Sequence, residues 1–159
     1  MTDPRDAPPS RLPWPPIIYL AAICLALIAG FLLPVPWLPR PLSDLLFAMG
    51  WLMVAAGLAI DVAAIRAMRK VGTTVLPHRA SEHLVTRGPF AFSRNPLYLS
   101  NTMIVLAIGL IMGNAWFVAF GFAAAFATHK LAIAPEERHL AQRFGKHYRD
   151  YQKKVRRWF

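Results

Sequence analysis

The sequence predicts an all-α membrane protein: four transmembrane helices, the last two a tight hairpin, followed by a C-terminal amphipathic cytosolic helix. Two observations carry this. The 159 residues are 56% hydrophobic and only 16% charged, and the charges stand in blocks: none from Ile17 to Leu33, only Asp61 from Leu45 to Ile65, none from Leu97 to Thr128. A soluble helical domain spreads charge along every outer face to keep it wet. The second observation is sign. Lys and Arg number 18 against 8 Asp and Glu, a net charge of +10, and the basic residues flank the apolar runs. In that position they set orientation in a bilayer and meet anionic headgroups, so a nucleic-acid-binding domain is excluded together with an ordinary soluble fold.

The elements follow in chain order. Residues 1–16 hold six prolines and two aspartates, too polar and broken for a signal peptide, and are expected to form a disordered cytosolic lead-in. One membrane domain is expected over 17–159. Its first span is Ile17–Leu33, ended by Pro34, Pro36, Pro39 and Pro41, whose rings block helix continuation. The second is 45–65, with Ser43 or Asp44 as N-cap and Asp61 as an interfacial carboxylate near Arg66. Leu97–Thr128 is 32 uncharged residues, about 48 Å as one helix against a hydrocarbon core of about 30 Å. A hairpin turning at Met112-Gly113-Asn114-Ala115, with spans 97–112 and 115–134, resolves the excess. Charge agrees with this. Six basic residues between Arg66 and Arg94 and nine between Lys130 and Arg157 then share one side, leaving only Arg40 opposite. The expected location is a bacterial inner membrane, multi-pass, with both termini cytoplasmic.

Two cytosolic segments remain. Residues 66–96 contain Gly72, Pro77, Gly88, Pro89 and Pro96 and make a loop too long for a mere connector. In the tail, Pro135 suits a first helical position and Glu136 and Glu137 a first turn, where carboxylates meet the positive end of the helix dipole. Leu140, Phe144, Tyr148, Tyr151, Val155 and Trp158 recur every three or four residues. This predicts a helix over 135–157 lying on the inner membrane face.

The lone Cys24 makes no internal disulfide or multi-thiolate metal site. The histidines at 78, 83, 129, 139 and 147 contain no i,i+4 pair, so no metal site is assigned. Neither a nucleophile elbow nor a glycine-rich phosphate loop is present. What the hairpin does bring together is the loop Glu82–Phe90 with Ser93–Tyr98 at one mouth and Glu136-Glu137 at the other. Polar groups converging at the end of an apolar bundle suit a water-soluble cofactor held against a lipid-dissolved substrate. The same residues also suit local roles, with Pro96 starting a helix, Gly88-Pro89 turning and the two glutamates capping. Composition and spacing do not choose between the two.

The ordered motifs do point to a family. Leu84-Val85-Thr86-x-Gly88-Pro89-Phe90 with Ser93-Arg94-Asn95-Pro96-Leu97-Tyr98, then Glu136-Glu137-x-x-Leu140 and Phe144-Gly145-x-x-Tyr148-x-x-Tyr151 and Val155, resemble the membrane methyltransferases that include isoprenylcysteine carboxyl methyltransferases and phospholipid N-methyltransferases. The resemblance covers about residues 70–157. It implies an S-adenosyl-L-methionine site at the cytosolic mouth, lined by Glu82, His83, Leu84, Val85, Phe90, Asn95, Pro96, Leu97, Tyr98, Glu136 and Glu137. Arg94 is a candidate for positioning substrate or cofactor, and no catalytic base is assigned. The chemistry is consistent: adenine needs an apolar or aromatic slot, ribose a carboxylate or amide, and a sulfonium a negative charge or ring face. Many members have histidine where Asn95 stands. The prenylcysteine enzymes place an arginine where this chain has Ala132. The implied activity is therefore methyl transfer, isoprenylcysteine-methyltransferase-like, to a lipophilic acceptor, either a lipid-soluble small molecule or a lipidated one. A phospholipid N-methyltransferase, a sterol-reductase-like NADPH enzyme and a non-enzymatic membrane scaffold are the alternatives. Membrane lipids are the other expected partner.

Overall fold

The computed structural model describes residues 14–72 and 83–159; among these every regular element is helical. Helix α1 is Trp14–Leu32 and α2 is Leu42–Lys70. A short 3₁₀ turn, Gly88–Ala91, precedes α3, Pro96–Met112, and α4, Ala115–Thr128. Then come a π-helical turn, His129–Ile133, and α5, Ala134–Phe144, and α6, Lys146–Lys154.

Among the described residues three helices are long and apolar enough to cross a membrane: α1, α2 and the continuous 30-residue stretch Ala115–Phe144. The fourth apolar helix, α3, is shorter at 17 residues. The fold is all-helical as expected, with the hairpin between α3 and α4 turning where the sequence indicates. Gly113 ends α3 in the left-handed conformation, φ 64°, and the Asn114 side chain caps α4 by accepting from the Trp116 backbone N–H at 3.0 Å. Trp116 Nε1 also donates to the Leu33 carbonyl at 2.8 Å, tying the turn to the end of α1.

Small residues set the packing. Gly50, Gly57 and Ala64 bury one stripe of α2. A Cβ at Gly50 would meet Ile111 and the Ala107 carbonyl of α3, and one at Gly57 would meet Ile104. Without a hydrophobic drive between helices in lipid, such close backbone approach is what dispersion needs. On the other side, α1 buries Tyr19, Ala22 and Ala26 in a core shared with Val105, Phe117 and Ala124 of α3 and α4. The outward faces carry Leu20, Phe31, Leu52, Phe122 and Phe126, all exposed. Lipid-facing helices look like this.

Several expectations need correction. Residues 1–13 of the expected lead-in lie outside the described residues, but Trp14–Pro16 belong to α1. A first helical turn loses no hydrogen bond to proline. Neither Ser43 nor Asp44 caps α2, which begins at Leu42 after Pro41; Asp44 instead pairs with Arg40 at 3.3 Å. The largest change concerns the tail. Helix 135–157 is neither a fresh start nor one rod. The chain runs through Pro135 without a break, because the π turn widens the ladder so that the Ala134 N–H reaches the His129 carbonyl. Glu136 and Glu137 therefore cap nothing. The rod then breaks at Gly145, φ 54° and ψ −122°, so α6 turns back and the extended residues after it return to the loop before α3. Its apolar residues do not lie on the bilayer. Tyr148, Tyr151 and Val155 are buried against Leu84, Leu140, Ala141 and Phe144 in a second small core.

Candidate functional site

Residues 83–95, α5, α6 and the C-terminal segment make a cap at one end of the hairpin. Its centre is Glu137, whose carboxylate lies between two guanidiniums. Arg94 reaches Oε1 with Nη2 at 2.8 Å and Nε at 3.1 Å, and Arg157 reaches Oε2 with Nη2 at 2.6 Å. The Glu137 and Arg94 side chains are only 8% and 11% exposed. Arg94 Nη1 donates to the carbonyls of Gln152 and Val155, at 3.1 and 3.2 Å. A buried carboxylate so engaged is spent on holding the cap together.

The loop is fastened by backbone as well. The Arg94 N–H donates to the Arg156 carbonyl at 3.0 Å, Asn95 Nδ2 to the Arg157 carbonyl at 3.0 Å, and Tyr151 Oη to the Phe90 carbonyl at 2.6 Å. Gly88, at φ 63°, allows the turn that presents Pro89 and Phe90 to the cap.

Glu136 has a different environment. Among the described residues no arginine pairs with it; Tyr98 of α3 donates to its Oε2 at 3.0 Å. Burial raises its pKa from the ordinary carboxylate value to about 7, with the neighbouring Glu137 charge adding to the rise and the Tyr98 hydrogen bond opposing it. Burial likewise pushes the Tyr148 and Tyr151 phenols up, so both stay neutral donors.

One cavity gathers most of the sequence-predicted residues: His83, Leu84, Val85, Phe90, Arg94, Asn95, Glu136 and Glu137 all line it. Pro96 and Leu97 do not line it; they form the first turn of α3, where Pro96 is fully buried. Tyr98 acts on it through Glu136, and Glu82 lies outside the described residues. Met68, Leu140, Tyr148 and Tyr151 also line the cavity and Arg157 locks its wall. The tyrosines and Leu140 were visible as a helical stripe, and its burial inside the cap gives them this place. Met68 and Arg157 carry no local signal, since only the fold brings α2's end and the chain terminus here.

The donor set suits a ligand with hydroxyls and a positive charge: a carboxylate held by a tyrosine, an amide and several ring faces. The cavity itself is about 60 Å³, whereas a nucleoside-sized ligand needs a few hundred. Leu84 and Val85 separate it from a larger cavity of about 650 Å³, which Arg66, Lys70 and Arg87 also line.

An integral membrane protein is thus defined, with long apolar helices below a cap that joins two distant motifs around one carboxylate-bearing cavity. Residues 45–147 match the phospholipid methyltransferase family, and the chain belongs to it. That family lies in the same group of membrane methyltransferases as the isoprenylcysteine carboxyl methyltransferases, as the motifs indicate. The chain is also similar to an uncharacterized protein of Haemophilus influenzae, 42% identical over 64 residues, which is 39% of this chain and 98% of that protein. No solved structure matches it.

Proposed function

We propose that the protein transfers a methyl group from S-adenosyl-L-methionine to a lipophilic acceptor, with the cofactor spanning the cap cavity and the larger adjoining one that shares Leu84 and Val85. The observation that carries this is the convergence of the 83–95 loop and Glu136 on one cavity, in a chain of the phospholipid methyltransferase family. When bound, the cofactor supplies an electrophilic methyl on a positively charged sulfur. Glu136 would accept from the ribose hydroxyls or face that charge, and Phe90 and Tyr148 would offer ring faces. Asn95 would orient the loop, its amide already held by the Arg157 carbonyl. Displacement at a methyl group demands alignment and dryness more than proton transfer. The Arg94–Glu137–Arg157 lock supplies both by fixing the cap over the hairpin.

A phospholipid amine is the acceptor class favoured within this proposal, because Ala132 leaves no arginine for a prenylcysteine carboxylate and the family matched is that of phospholipid methyltransferases. The topology proposed is four spans with both termini cytoplasmic. In its support, Arg66, Arg69 and Lys70 end α2 at the same end of the hairpin as the basic cap, and Arg40 lies opposite.

Calorimetric titration of the purified protein with S-adenosylhomocysteine tests the cofactor, and binding that Glu136→Ala weakens is expected. No binding at millimolar ligand sinks the proposal. Incubation of membrane extracts with methyl-labelled cofactor then identifies the acceptor by the lipid that acquires label.

A further inference from the structure

We propose that a third pocket, on the outward face of the π turn and α5, binds the phosphate of an anionic membrane lipid. This pocket, about 470 Å³, is lined by Lys130, Ala134, Arg138, Gln152 and Arg157, with Glu137 in its wall. Lys130, Ala134 and Arg138 follow one another at four-residue intervals, so two exposed cations stand on either side of a residue too small to fill the gap. Among the described residues neither pairs with a carboxylate. The negative charge of Glu137 is already shared between Arg94 and Arg157, so the pocket stays net positive.

Its position in the bilayer supplies the rest. Phe122 and Phe126 continue the same helix face into the apolar region, 61% and 66% exposed, and Lys130 Nζ sits 5.6 Å from the Phe126 ring centre. An acyl chain lying along those rings brings a headgroup phosphate level with Lys130, Arg138 and Arg157. Interfacial cations of this kind attract anionic headgroups by charge. Arg157 also belongs to the segment whose carbonyls hold Ser93 and Asn95. A lipid there adds a tether to the cap without entering the cofactor cavity.

Native mass spectrometry of the detergent-solubilised full chain tests this without any methyl-transfer readout. The wild type is expected to retain one phosphatidylglycerol in preference to phosphatidylcholine, and K130A/R138A to weaken that retention roughly thirty-fold. K153A/K154A, with the same loss of charge on α6, is expected to bind as wild type, and the charge-keeping pair K130R/R138K likewise. Equal retention of phosphatidylcholine, equal loss in K153A/K154A, or loss in K130R/R138K overturns the proposal. So does full displacement of phosphatidylglycerol by equimolar inorganic phosphate, which marks a free-anion site.

Discussion

In the bundle, α2 meets α3 across Gly50, Gly57 and Ala64, and α1 meets α4 through Ala22 and Ala26. In the cap, the contacts are a carboxylate between two guanidiniums, tyrosine hydroxyls on backbone, and carbonyls of the last residues on the loop. The first region excludes its neighbours' side chains so that backbones touch, since lipid offers no hydrophobic gain for burying larger ones. The second has water on one side and must enclose a polar cavity, so charge and hydrogen bonds direct it while a few rings keep it dry. Closeness is the design variable in one region and pairing in the other, and each should fail in its own manner.

Removing the pairing should have the largest effect. Glu137→Ala leaves Arg94 buried without its counter-charge, a loss of about 3–5 kcal/mol. Limited proteolysis is expected to release residues 145–159 while the bundle stays resistant; simultaneous loss of both regions would show that cap and bundle unfold as one. Next, Gly50→Leu forces a side chain into Ile111 and the Ala107 carbonyl, a cost of about 1–3 kcal/mol. Melting in detergent should fall while S-adenosylhomocysteine affinity per folded molecule holds.

A third prediction concerns Glu136, with its folded pKa raised to about 7. Because the raised value favours the protonated form in the fold, its stabilising contribution is complete below the ordinary carboxylate pKa and is lost as pH rises through about 7. A cationic or hydroxyl-bearing ligand prefers the ionised form, so affinity should run the other way, strengthening with pH by up to about tenfold per unit below 7. Glu136 carries this slope, so E136Q should flatten it in calorimetry. The smallest effect is expected from Tyr151→Phe, which deletes the bond to the Phe90 carbonyl for about 1 kcal/mol. Slightly faster hydrogen exchange in the 88–91 turn is the readout.

Much of the bundle was legible because its signals are local. Charge-free runs mark the long helices, and Gly113-Asn114 marks the turn by backbone conformation and capping chemistry that need no distant partner. The cavity was partly legible, since the hairpin brings His83–Asn95 and Glu136-Glu137 together by topology alone. What could not be seen is who pairs with whom. Both glutamates sit in one turn and look alike, yet Glu137 is consumed by Arg94 and Arg157 while Glu136 accepts from Tyr98. That difference arises from a chain reversal at Gly145 that delivers Arg157 from twenty residues away. The tail's stripe was read correctly as amphipathic, but periodicity does not say whether lipid or protein covers it, and here the stripe folds on itself and onto Leu84.

The π turn at His129–Ile133 has a geometric effect beyond accommodating Pro135. An extra residue in one turn advances everything downstream by about 100° around the helix axis. The rod therefore works as a phase shifter, with α4 aimed by one angular origin and α5 by another. Counted on an uninterrupted α-helix, Glu136 and Glu137 would point about a quarter-turn away from Tyr98 and Arg94. The membrane half and the chemical half of this helix can thus each face what they must while sharing one axis.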